Sequence, residues 1–174
     1  MNSIKLESYR QKYLDFLKSR HTAVLNFIDA DGKPFSSTAP FVQHNHRFYI
    51  YISEVAEHFQ LMQTNEVVDV LMLADQADSN NPFATERVRY RCQPAYLGND
   101  GFDDIFKLFD ELYNQKMMKV FRGLDFSLFE LTPLEGRYVV GFGLAFDLTV
   151  DGETFEHVVV DKESVNKEEK TNDT

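Results

Sequence analysis

Residues 35–70, FSSTAPFVQHNHRFYIYISEVAEHFQLMQTNEVVDV, decide how the rest of the chain is read. Residues 34–43 and 47–53 are rich in β-branched and aromatic side chains and flank His44-Asn45-His46, so they read as a strand hairpin. In the second of these strands Phe48, Ile50 and Ile52 alternate with Tyr49, Tyr51 and Ser53, which predicts one buried and one semi-polar face. Residues 54–64 place Val55, Phe59 and Met62 on one face of a short helix, and residues 67–74, VVDVLMLA, form a hydrophobic strand. Polar groups suited to holding a ligand collect where the second strand ends and the helix begins. Part of a cofactor cradle is therefore expected there, with the remaining chain closing a barrel around it.

Toward the N-terminus, residues 4–20 carry Leu6, Tyr9, Tyr13, Phe16 and Leu17 at helical spacing and predict an amphipathic helix. Residues 22–28, TAVLNFI, make a strand, and Asp29-Ala30-Asp31-Gly32 turns it into the next. Toward the C-terminus, residues 75–82, DQADSNNP, form a polar loop. Residues 86–97 alternate Arg87, Arg89 and Arg91 with Val88, Tyr90 and Cys92. Asp100 is placed to cap a helix bearing Phe102, Ile105, Phe106, Phe109, Leu112 and Tyr113. Strands are expected over residues 126–131 and 138–148, then a turn at Asp151-Gly152 and a short apolar segment over residues 155–160. Short turns between consecutive strands predict an antiparallel sheet, and six to eight strands with few helices predict a closed or split barrel. The expected organisation is one mainly-β domain over residues 1–160, with its N-terminal helix, and a loose polar tail over residues 161–174.

Composition narrows the functions. The chain has 174 residues, enough for one domain with a sizeable core. A net charge of -10 disfavours a nucleic-acid backbone as partner. A single cysteine excludes an internal disulfide and any paired-cysteine metal or redox motif, which suits a reducing cytoplasm. No apolar run is long enough to span a membrane. There is no βαβ rhythm and no glycine-rich phosphate loop, so a dinucleotide-type site is not expected.

Several strings, in order, resemble the FMN-binding split-barrel superfamily that includes the pyridoxamine 5′-phosphate oxidases. They are KPFSSTAPFV at residues 33–42, YISEVAEHFQLMQTN at residues 51–65 and VVGFGLAF at residues 139–146. The likeness is strongest to the heme-utilisation branch, the HutZ/HugZ-type proteins, and extends over residues 20–146. It implies an antiparallel Greek-key split barrel, a homodimer, and two equivalent sites at the subunit interface.

Residue by residue, the resemblance implies the following. Ser37 and Thr38 match the segment that lines a flavin ring, and Ser53 ends the strand beside it. Flavin members carry a basic pair where this chain has Glu57 and His58; His58 can still donate to a phosphate, whereas Glu57 repels one. Arg87 matches a further anion partner on the fifth strand. In the heme branch a C-terminal histidine ligates iron and an acidic residue tunes it. Here His157 stands as the metal ligand and Asp125, in LDFSLFEL, as the acidic catalytic candidate. A second tail histidine common in that branch is replaced by Asp161 and Lys162. Two cofactor readings therefore stand: heme, carried or opened, or FMN in a site weakened by Glu57.

Plainer readings accompany these. His157 fits an ordinary strand position, His44 and His46 a solvated turn, and His21 a helix-to-strand junction. In a chain this acidic, the three arginines find carboxylates of their own most cheaply. The Gly141-Phe142-Gly143 string is expected to bend a strand or allow a close backbone approach.

Overall fold

The computed structural model describes residues 3–75, 81–141 and 143–159, in an eight-stranded antiparallel sheet with helices α1–α4. In chain order these are α1 (Ser3–Lys18), β1 (Thr22–Ile28), β2 (Pro34–His44), β3 (Arg47–Ser53), α2 (Glu57–Thr64), β4 (Val68–Leu73) and β5 (Arg87–Gly98). They are followed by α3 (Asp103–Phe109), a π-helical segment (Asp110–Asn114), α4 (Gln115–Phe121), β6 (Phe126–Gly141), β7 (Leu144–Leu148) and β8 (Phe155–His157). The strand order is β3-β2-β1-β4-β5-β6, and β3 pairs again with β6 from Phe48↔Leu131 to Ser53↔Phe126, so the sheet closes on itself. β7 and β8 extend from the far end of β6. The expected antiparallel split barrel is what forms, and closure removes the sheet edges that would otherwise invite pairing.

Alternating inward side chains fill the barrel: Leu25, Phe48, Ile50, Met72, Val88, Tyr90 and Phe129 are each fully buried. The two ends are plugged by helices, α1 with Tyr13, Phe16 and Leu17 and α2 with Phe59 and Met62. Tyr13 donates to the Val150 carbonyl at 2.8 Å, so the proton between Tyr13 Oη and Tyr90 Oη, 2.6 Å apart, comes from Tyr90. Two turns read from sequence are present. Gly32 has φ 79°, and Asn45 and His46, at φ 48° and 61°, turn β2 into β3.

Four expectations are corrected. The outer face of β3 is buried, not semi-polar: Tyr49 and Tyr51 lie with Val42 under α3 and α4 in a second apolar cluster. Asp100 does not cap α3, whose N-cap is Phe102 with no side-chain bond. The helix there does not stop near Tyr113; after the π segment, Asn114 accepts from the N–H groups of Lys116 and Met117 and starts α4. The strands expected at residues 126–131 and 138–148 are one long β6 and a hairpin into β7, because Gly143, at φ 71°, makes a turn that most side chains resist. β6 stays paired past Pro133 because Leu134 is bulged out between the Arg91↔Glu135 and Cys92↔Pro133 pairs. The expected tail at residues 161–174 lies outside the described residues. No helix among the described residues is long and apolar enough to cross a membrane.

Candidate functional site

Where β2, β3, α2 and the α3–α4 cover meet, a cavity of about 340 Å³ opens. Thr38–Pro40 form one wall and Tyr51–Ser53 another; Ala56 and His58 come from the start of α2. Phe109, Tyr113, Met117, Met118, Phe121 and Phe126 close it from the helical side, which makes the lining mainly apolar. The sequence reading missed this helical wall. Its signal was the MMKVF run at residues 117–121, too short to stand out without the π segment that continues the helix into it.

Three of the seven candidate residues, Thr38, Ser53 and His58, line this cavity; Ser37 is bonded to His58, and Asp125 to Ser53. Ser37 Oγ lies 2.9 Å from His58 Nδ1, and burial holds the half-buried His58 imidazole below its ordinary pKa, so the ring is neutral at pH 7. Ser53 Oγ donates to Asp125 Oδ2 at 2.8 Å, and Val55 N–H reaches the same oxygen at 3.3 Å. The Ser53 hydroxyl, aided by the backbone donors, holds the exposed Asp125 carboxyl below the usual carboxylate range. Asp125 thus ties the end of β3 to the start of β6, at the rim of the cavity.

Two other sequence candidates lie elsewhere. His157 pairs with Phe146 on β7, its ring 5.5 Å from the Phe146 ring, and Phe146 pairs with Tyr138 near the end of β6. Asp125 precedes the other end of β6, so one protomer does not bring the two together. Arg87 lies on β5, with β4 and β1 between it and the Thr38–Pro40 wall on β2, and it does not line the cavity. Its guanidinium donates to the Thr85 carbonyl at 3.0 Å and has no carboxylate partner among the described residues. Arg89 and Arg91 do find carboxylates: both reach Asp69, at 3.0 and 3.3 Å, and Arg91 also reaches Glu135 at 3.2 Å.

Among the described residues no lysine or arginine lines the cavity, and Glu57 occupies the first turn of α2. A phosphate would find no cation in this wall. A large flat apolar ring finds aromatic and thioether contacts together with a neutral imidazole. The lining suits the apolar face of a flat ring and by itself offers no cation, either to a flavin phosphate or to the carboxylates of heme.

HutZ of Vibrio cholerae serotype O1, named a heme oxygenase, is 29% identical over 139 residues, covering 79% of this chain and 79% of HutZ. The crystal structure of HutZ, described there as a heme storage protein, superposes with TM-score 0.67 over 78% of this chain and 94% of that one, at 27% identity. The chain is a split barrel similar to the heme-utilisation proteins. ChuZ of Campylobacter jejuni superposes with TM-score 0.78 at 31% identity; the match covers 87% of this chain but 63% of ChuZ. A Listeria innocua structure named after pyridoxamine 5′-phosphate oxidase shares the fold, with TM-score 0.55 at 15% identity over 75% of this chain and 97% of that one. No protein-family model matches the chain.

Proposed function

We propose that this protein binds heme, as a heme-utilisation-type split barrel acting as a homodimer in the cytoplasm. The observation that carries the reading is the likeness to HutZ over most of both chains, joined to an apolar cavity bordered by a neutral imidazole. Heme supplies oxygen binding and one-electron chemistry when bound. The chain's own part is to enclose the ring between β3 and the α3–α4 cover, to exclude water with Phe109, Met118 and Phe121, and to hold Asp125 ionised at the rim.

A two-fold partner is supported by the outer face of β1 and β4. Ile28, Val67 and Leu73 are 54%, 40% and 42% exposed on that side and belong to neither apolar cluster among the described residues. A second subunit there would lie beside the Thr38–Pro40 wall and would bring another Arg87 to the same interface, which suits a ligand carrying carboxylates.

The test is a hemin titration of the purified chain, followed at the Soret band, with sedimentation in parallel. A saturable Soret shift at one heme per subunit in a dimer is expected; no saturable shift ends the reading. Adding a chemical reductant and oxygen to the complex then separates the two chemistries. Loss of the Soret band with release of a linear tetrapyrrole marks an enzyme, and a persistent band marks a carrier. The fold similarity to pyridoxamine 5′-phosphate oxidase keeps one alternative, an FMN oxidoreductase. A yellow protein that retains FMN on gel filtration and ignores hemin would establish it.

A further inference from the structure

Tyr51 lies on the face of β3 that the helices cover and is 4% exposed. Its Oη is a buried side-chain oxygen with no hydrogen-bond partner among the described residues. Tyr49, two residues earlier on the same face, shows the ordinary arrangement: its hydroxyl donates to Glu130 at 2.8 Å. A hydroxyl taken out of water and left unpaired costs stability, so such a group calls for a partner.

The surroundings show where that partner would sit. The body of Tyr51 is enclosed by rings, those of Phe106, Phe126 and Phe109 at 5.3, 5.4 and 6.2 Å. Burial pushes its phenol up, and the Arg122 guanidinium pulls the other way, which places that charge near the hydroxyl. Arg122 lines a second pocket, of about 390 Å³, with Asp103, Phe106, Lys107 and Asp110. Tyr51 is the residue this pocket shares with the apolar cavity, whose lining lacks Arg122. The hydroxyl is thus aimed at the polar pocket.

We propose that this second pocket binds a small zwitterion of the α-amino acid class, its carboxylate taken by Tyr51 Oη and Arg122 and its ammonium by Asp103. Nothing in this site depends on heme. The tyrosine hydroxyl has a proton to donate, and a carboxylate accepts it. Arg122 is already oriented: its Nη2 donates to the Phe106 carbonyl at 3.2 Å and to Asp110 Oδ1 at 2.9 Å, with the guanidinium 5.0 Å from the centre of the Phe106 ring. Both bonds use Nη2, so the Nε and Nη1 side of the fork is the part that can grip a carboxylate.

The charges of the lining select for both signs in one molecule. Lys107 and Arg122 are balanced by Asp103 and Asp110, so a phosphate dianion would meet two carboxylates as well as two cations. A zwitterion finds an opposite charge at each end. Asp103 stands exposed in the first turn of α3, free of the Arg122–Asp110 pair. The Lys107 side chain, 76% exposed, adds attraction without a fixed contact.

The experiment is thermal melting of the full chain with each of the common L-amino acids at millimolar concentration, beside acetate, methylammonium and inorganic phosphate. Wild type is compared with Tyr51→Phe, Asp103→Asn and Tyr49→Phe. We expect at least one amino acid to raise the wild-type melting temperature saturably, and acetate, methylammonium and phosphate to leave it unchanged. Without ligand, Tyr51→Phe should melt no lower than wild type, because the hydroxyl it removes is unpaired, whereas Tyr49→Phe should melt lower. Tyr51→Phe and Asp103→Asn should bind the amino acid about 10-fold or more weakly, and Tyr49→Phe as wild type does. No saturable shift with any amino acid overturns the proposal, as does unchanged affinity in Tyr51→Phe. A ligand-free Tyr51→Phe that melts lower, or does not fold, shows a hydroxyl already satisfied by water and overturns it too. Equal stabilisation by acetate or phosphate alone overturns the zwitterion assignment.

Discussion

The hydroxyl of Tyr113, in the π-helical segment, accepts the backbone N–H of Phe41 at 3.0 Å, and the Phe41 carbonyl lies 2.7 Å from the same oxygen. The His21 carbonyl is also in reach, so one side chain ties the helical cover to the start of β1 and to β2. Tyr113→Phe removes the hydroxyl and leaves these groups to water or to each other. We expect a loss of about 1–3 kcal/mol in urea unfolding, with faster amide exchange at Phe41.

The same residue has a pH signature. Burial pushes the Tyr113 phenol up to about 12 from its ordinary 10. The unfolded chain loses this proton first, so the contribution is complete below pH 10 and disappears as the pH rises toward 12. Other buried tyrosines, including Tyr13, Tyr90 and Tyr138, are raised as well and steepen the same alkaline limb. Stability measured across that window should therefore fall in both proteins, but less steeply in Tyr113→Phe than in wild type.

At the end of the barrel plugged by α1, Tyr13 Oη is acceptor to Tyr90 and donor to the Val150 carbonyl. Tyr13→Phe leaves the Tyr90 hydroxyl, in a fully buried side chain, without that acceptor. A cost of about 1–3 kcal/mol is expected. The midpoint of chemical unfolding checks it, and a change within error would show that a water has taken the vacated position.

Gly136 faces Tyr90 across the β5–β6 ladder, and a Cβ there would lie 2.8 Å from the Tyr90 ring and from Leu148 Cδ1. Neither neighbour is free to retreat in a close-packed core. Gly136→Ala should destabilise by about 1–3 kcal/mol through overpacking, measured as a lowered melting temperature.

Ser53→Ala removes the largest influence holding down the Asp125 carboxyl. Its pKa should rise toward the ordinary carboxylate value, followed by side-chain NMR across the acid range. The sign is fixed: a depressed folded pKa contributes stability that is present above the unfolded value and lost as pH falls through the folded one. The variant should thus lose less stability on acidification than wild type. An Asp125 titration identical in the two proteins would mean that the Val55 N–H alone sets it.

Much of this molecule was legible in its residue pattern because strand alternation and turn chemistry are local. The register of β1 with β2, the Asn45-His46 turn and the buried Val88, Tyr90 and Cys92 opposite the arginine face all follow from neighbours within a few positions. The partners of Arg89 and Arg91 were foreseeable as carboxylates, yet only strand order could select Asp69, from β4. The site was legible in part. Ser37, Thr38, Ser53 and His58 were singled out as cradle residues, but the cavity that Thr38, Ser53 and His58 line exists only because the α3–α4 cover lies across β3. That cover also buries Tyr49 and Tyr51, which the alternation of β3 alone placed on a semi-polar face. Sequence by itself determined the barrel, since its strands and turns are short-range decisions. Tertiary structure decided which imidazole meets an apolar cavity: His58 and Ser37 are far apart along the chain, and only closure of β2 against α2 brings their polar atoms into hydrogen-bond contact.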